Sequence, residues 1–279
     1  MTVQPVDMPV VELGEGARWW ASGPVQVDLL AGRLLSVGPQ GIAEVLALDV
    51  PLGAAAPRTG GGLALVAGTS VHLLDDGADA PTVVIDTGLD PRSMRVNDAC
   101  TDEAGRLWFG LMAYDATPGS GSLWRLEPDH SLARVLDGIT IPNGPVIDHR
   151  RGVLYLADSA RGLVLRGTID VATGELGVLE TFAHVPDASP DGMALDDEGL
   201  LWSALWGGSR LHCYDLDGSL ASVVPLPASQ PTSIAFDPTG GPALVTTARH
   251  GLAHPGDLDG RSFWVDLGRS ARPALPYGG

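Results

Sequence analysis

Glu15, Asn143 and Asp191 are far apart in the chain, yet each precedes a turn glycine by nearly the same interval, eight residues for Glu15 and Asp191 and nine for Asn143. Together they offer two carboxylates and one amide carbonyl, with no sulfur and no imidazole. Hard divalent cations favour such donors, Ca²⁺ first, with Zn²⁺, Mn²⁺ and Mg²⁺ also admissible. Three protein ligands leave coordination positions for water or a substrate, as a Lewis-acid catalyst requires. Asn-Gly and Asp-Gly are also common turn dipeptides, so Asn143 and Asp191 have a purely structural reading when taken singly. Their matching phase argues against it, and so does Glu15. A glutamate between Gly14 and Gly16, just ahead of Trp19-Trp20, needs a partner if it is buried.

The same phase recurs at Gly60, Asn97 and Thr232, which stand eight residues ahead of Gly68, Gly105 and Gly240. Successive positions lie 37–48 residues apart, a period in the range of four-stranded propeller blades. Between glycines and prolines run short apolar segments of strand length, such as Leu107-Trp108-Phe109, Val153-Leu154-Tyr155 and Leu200-Leu201-Trp202. No segment sustains a 3.6-residue period, so few helices are expected. The expected fold is all-β: a six-bladed propeller of four-stranded antiparallel blades, a single domain over residues 1–279. In such a fold the innermost strand of each blade lines a central channel, which would bring the six positions to one ring. The Val3–Val11 stretch could supply a closing strand. Asp102, Asp196 and Asp237 begin turns that end in glycine and have a structural role from turn chemistry alone.

Composition narrows the function. The formal charge is −17, so a nucleic-acid partner is not expected. All 17 basic residues are arginine, which rules out Schiff-base lysines and a Walker-A loop. Cys100 and Cys213 show no paired spacing, and the seven histidines show no ligand spacing. There is no G-x-S-x-G elbow and no H-E-x-x-H motif. No secretory leader or membrane-spanning apolar run is apparent, so a cytoplasmic protein without membrane contacts is expected, monomeric or weakly self-associating.

Four segments carry a family resemblance. Leu13-Gly14-Glu15-Gly16, Arg95-Val96-Asn97-Asp98 with Gly105–Gly110, Pro142-Asn143-Gly144, and Pro190-Asp191-Gly192-Met193-Ala194 resemble the senescence marker protein-30 / gluconolactonase (regucalcin-like) family. The resemblance implies a six-bladed propeller and a hydrolase of sugar lactones with a divalent metal at the channel mouth. It places the metal ligands at Glu15, Asn143 and Asp191. It places substrate-binding groups at Arg95 and Asn97, with Asn97 also within reach of the ion through water. A further acidic substrate contact would fall on Asp115, one methylene shorter than the glutamate of animal members. A lysine that some members place near the site has no counterpart here. Tyr114 and Pro118–Gly121 form a loop expected to cover the site.

In the expected reaction the ion polarises the lactone carbonyl, Arg95 and Asn97 orient the substrate, and Asp191 or water activated by the ion acts as base. Three alternatives stand beside it. The same ring could act on phosphotriesters or organophosphates, the propeller could be a non-catalytic metal-binding interaction platform, or the pocket could serve natural-product synthesis.

Overall fold

The computed structural model describes residues 2–38 and 41–279. Its 24 strands form six four-stranded antiparallel sheets arranged as the blades of a propeller. The inner strands of blades 1 to 6 are Gly14–Trp20, Leu52–Pro57, Met94–Thr101, Pro142–Asp148, Ser189–Leu195 and Gln230–Ala235. Within blades 1 to 5 the four strands follow in chain order. Blade 6 is closed differently: Val3–Pro5 pairs with Phe263–Val265 as its outermost strand. The expected N-terminal closing segment is therefore present, confined to three residues of the Val3–Val11 stretch. Among the described residues the only helical element is a single 3-10 turn, Ser159–Arg161, and no helix is long and apolar enough to cross a membrane.

The alternation of side chains explains where the core sits. Inner and second strands are buried on both faces because neighbouring blades cover them, as in Leu107–Ala113 of blade 3. Outer strands turn one face or an edge to water, as in Leu220–Pro225. Apolar packing is consequently interblade: Ala54, Val66 and Leu73 of blade 2 pack with Val96, Phe109 and Leu111 of blade 3. The turn aspartates have the structural role expected of them. Asp102 accepts bonds from the Arg106 guanidinium (2.6 Å) and the Trp108 indole (2.9 Å), and Asp196 accepts from Trp202 (3.0 Å).

Each inner strand carries a one-residue bulge near its first half. Register slips between Glu15 and Arg18, Leu52 and Ala54, Val96 and Ala99, Asn143 and Val146, Pro190 and Met193, and Pro231 and Ser233. A bulge bends the strand and re-aims the side chains beside it. This shared irregularity turns the ring positions toward the axis.

One ring assignment is corrected. Gly60 lies in the turn after the inner strand of blade 2, and Gly53 holds that blade's ring position. Gly53 precedes the turn glycine Gly61 by the repeat interval. The spacing to Gly68 had matched the next hairpin, between Leu63–Ala67 and Ser70–Leu74. A Cβ at Gly53 would stand 2.0 Å from the Asn97 carbonyl oxygen, so only glycine lets blades 2 and 3 approach this closely.

The C-terminal segment crosses the far mouth of the channel, at the opposite ends of the inner strands. The Ala274 amide donates to Trp19 O (2.7 Å), the Tyr277 amide to Pro57 O (2.8 Å) and the Gly278 amide to Gly105 O (2.9 Å). Between this segment and the ring lies a cavity of about 280 Å³ lined by apolar groups of the inner strands, including Ala54, Met193 and Ile234. Tyr277 is fully buried against blade 3, and its hydroxyl donates to Glu127 O at 2.7 Å. Tyr277→Ala is expected to destabilise the fold by about 3–5 kcal/mol, the usual cost of removing a buried aromatic. Denaturant titration would register this as a lower midpoint.

Candidate active site

The ring at the near mouth is built from the starts of the inner strands. Glu15 is the second residue of its strand, Asn143 the second of its own and Asp191 the third. Pro142 and Pro190 are tolerated because each is at or next to the strand's first residue. Gly144 follows Asn143 at φ +47°, and a Cβ there would meet Asp191 O at 2.8 Å. The glycine thus brings blades 4 and 5 into backbone contact just where their polar side chains meet.

Asn143 and Asp191 are in direct contact, the Asn143 amide donating to Asp191 Oδ1. Ser159, in the 3-10 turn, accepts from the same amide (3.4 Å) and donates to Pro190 O (2.6 Å). Glu15 is only 5 % exposed, and the hydrogen bond its carboxylate accepts comes from the adjacent Gly16 amide at 3.3 Å. Burial raises the Glu15 pKa well above the carboxylate range. The negative charges of Asp191 and Asp98 add to this, and Arg95 and the Gly16 amide oppose it. Asp191, 3 % exposed, is raised in the same way by burial and by Asp98, with the Gly192 amide, Arg95 and Asn143 opposing.

Arg95 and Asn97 come from the inner strand of blade 3. Arg95 Nη1 donates to Asn97 Oδ1 (2.8 Å) and Val96 O (2.9 Å), both neutral acceptors. Asn97 Nδ2 donates to Pro142 O (3.0 Å), tying blade 3 to blade 4. Desolvation lowers the Arg95 pKa, and Glu15, Tyr114 and Asp191 oppose this electrostatically.

Two other sequence-derived positions have local duties. Thr232 donates to Gly14 O (2.5 Å) and shares a bond with Thr246 (2.7 Å), joining blade 6 to blade 1. Asp115 is exposed and accepts from the Thr117 amide (3.0 Å) and hydroxyl (2.8 Å), which lowers its pKa. Its carboxylate is engaged in its own turn. In the same loop Tyr114 is half exposed, and its amide donates to Ser93 O at 3.0 Å.

Asp98 is a third buried carboxylate, 2 % exposed, that ring periodicity alone does not flag. The nearby buried charges are Glu15, Asp98 and Asp191 against Arg18 and Arg95, one negative charge in excess. Buried like charges with few donors are costly unless a cation joins them. The oxygen-only donor set and the sparsely bonded Glu15 therefore fit a hard divalent ion held by Glu15, Asn143 and Asp191. Among the described residues no three His, Cys, Asp or Glu side chains form a metal-ligand cluster, so the amide of Asn143 is needed to complete a three-donor set.

Comparison with known proteins agrees with this architecture. The profile of the SMP-30/Gluconolactonase/LRE-like region matches residues 13–249. The chain is 32% identical to pentonolactonase XacC of Haloferax volcanii, covering 98% of this chain and 97% of that protein. It is also 32% identical to regucalcin of Sus scrofa, over 83% and 82% of the two chains. A solved regucalcin from Agrobacterium tumefaciens, described as a calcium-binding protein, superposes with a TM-score of 0.88 at 24% identity, covering 99% of this chain and 97% of that one. The chain belongs to the SMP-30/gluconolactonase/LRE-like family.

Proposed function

We propose that this protein hydrolyses sugar lactones, using a divalent cation, Ca²⁺ by donor type, held by Glu15, Asn143 and Asp191. What supports the reading is the contact of the buried Asp191 carboxylate with the Asn143 amide, together with a buried, sparsely bonded Glu15 whose pKa Asp191 raises and an arginine with neutral partners. The pentonolactonase relative, matched over nearly its whole length, supports the substrate class.

A cation bound there supplies positive charge to polarise the lactone carbonyl and to stabilise the oxyanion that follows. Arg95 spends Nη1 on Asn97 and Val96, which leaves donors for the substrate's hydroxyl or ring oxygens. The bond to Asn97 Oδ1 orients the guanidinium. Asp191 acts as base: a water oxygen bonds to the carbonyl carbon as Asp191 takes its proton. The ring C–O bond then breaks as Asp191 passes that proton to the leaving ring oxygen, which departs as a hydroxyl and restores the carboxylate. The product is the open-chain hydroxy acid. The loop between the second and third strands of blade 3 begins at Tyr114, whose amide bonds Ser93 O two residues ahead of Arg95, and substrate choice is assigned to that loop.

Turnover of pentono- and gluconolactones, an aryl lactone and a phosphotriester, before and after chelation and Ca²⁺ return, tests the reading. Sugar-lactone hydrolysis is expected to be lost on chelation and to return with the ion, with the phosphotriester a poor substrate. Full activity in chelator rejects the role of the cation. Arg95→Ala is expected to reduce kcat/KM about 10–100-fold, the value of a hydrogen bond or two from a charged donor.

A further inference from the structure

Three residues below Glu15 on the same strand, Arg18 reaches across the channel. Its Nη2 donates to Asp98 Oδ1 of blade 3 at 2.7 Å and also to Ala99 O. Its Nη1 donates back to Ala17 O of blade 1 at 2.7 Å. Blade 2 lies between these partners, and its inner strand reads Leu-Gly-Ala-Ala-Ala-Pro. The small side chains of Gly53, Ala54 and Ala55 leave the space that the long arginine crosses. Arg18 also lines the apolar cavity on the far side. The guanidinium and Asp98 therefore form a polar floor between the ring and that cavity.

Asp98 is held on one side only. Its Oδ1 accepts from Arg18 and from the Ala99 amide (2.8 Å), while Oδ2 is buried without a protein partner. An unpaired buried carboxylate oxygen in a protein interior points to a charge or solvent molecule it has yet to meet. Asp98 also raises the pKa of both Glu15 and Asp191, so its carboxylate acts on the ring.

We propose that the Arg18–Asp98 pair is a positioning device for the cation site: Asp98 contributes negative charge from beneath the ring, and Arg18 fixes its orientation and limits how much of that charge the cation experiences. The proposal rests on the cation reading above and extends it to two residues outside the ligand set. Neither residue need touch the substrate. Outer-shell partners of metal ligands commonly change metal affinity by about 10–100-fold, which sets the size of the expected effect.

The test is Ca²⁺ binding by calorimetry on the full chain, with thermal unfolding measured in parallel. Asp98→Asn is expected to weaken Ca²⁺ binding about tenfold. Arg18→Met, which keeps length and removes charge, is expected to tighten it, and the double variant is expected to return toward the wild-type Kd. Arg18→Lys keeps the charge and should keep the Kd within about threefold. A pair that merely braces blades 1 and 3 would lower Tm in both single variants with no opposed shifts in Kd, and that result overturns the proposal. If a single variant fails to fold, the surviving variant and Arg18→Lys decide it. Unchanged Kd in those proteins overturns the device while leaving the ring site standing. Absence of Ca²⁺ binding by the wild-type chain overturns both.

Discussion

Asp191→Asn is expected to abolish turnover and at the same time make the cation-free protein more resistant to heat. The two effects have one origin. Asp191 is buried, its carboxyl is raised well above the usual range first by burial and then by Asp98, and its side-chain partner is the Asn143 amide. At neutral pH the folded, cation-free protein must either hold that group charged in a poor environment or protonate it. Asparagine has the same shape and no charge, and replacing buried ionic groups by neutral ones is often stabilising by about 1–4 kcal/mol. At the same time the variant loses the group assigned as base, so kcat is expected to fall about 10²–10⁴-fold. Saturating Ca²⁺ should reverse the stability order, because the wild type gains binding free energy that the variant has largely lost. Melting curves of both proteins, each with chelator and with Ca²⁺, make the comparison. A variant less stable than wild type in both conditions would assign Asp191 a structural role and remove the case for it as base.

The legible parts of this molecule were those written in local chemistry. The strand-turn rhythm, the Asp-to-Gly turns and the polar residues next to turn glycines each depend on a few adjacent residues, and they indicate six blades with Glu15, Asn143 and Asp191 at the starts of inner strands. Asp102 and Asp196 were readable as structural for the same reason, since each bonds its own turn and a tryptophan six residues on. The misplacement of Gly60 arose in the glycine-rich stretch Gly60-Gly61-Gly62, where two hairpin turns follow closely and the interval matches either one. Asp98 and Arg18 were not legible as site residues because their meaning is relational. Arg18 reaches Asp98, 80 residues on, over the small side chains of the inner strand of blade 2. The signal existed as a long cationic residue opposite an inner strand of glycine and alanine, but only ring closure makes those segments neighbours. Asp115 shows the converse. The family resemblance assigns it to the substrate, and the bonds it accepts from Thr117 are the local contacts an aspartate makes two residues ahead of a threonine.

Raising the pH of the cation-free protein from about 4 toward neutrality is expected to lower its stability, and adding Ca²⁺ is expected to restore it. Unfolded Asp and Glu titrate near about 3.9 and 4.3. Both Glu15 and Asp191 titrate well above those values in the folded chain, so between the unfolded and folded pKa the folded state binds more protons. Stability from this source is complete below about pH 4 and is lost as pH rises through the folded values. This is opposite to the behaviour of a carboxylate whose folded pKa lies below its unfolded value. A bound cation inverts the sign at the ring by favouring the charged forms, so its stabilisation should grow with pH across the same window. At 100 times its Kd the ion contributes about 2.7 kcal/mol, and a chain of this size converts that into a rise in Tm of about 5 °C. Tm measured from pH 4 to 8 with chelator and with Ca²⁺ should give curves that lie together in acid and separate as pH rises. Curves that stay parallel through the whole range would mean that Ca²⁺ binds away from Glu15 and Asp191, and the ring would lose its claim to the ion.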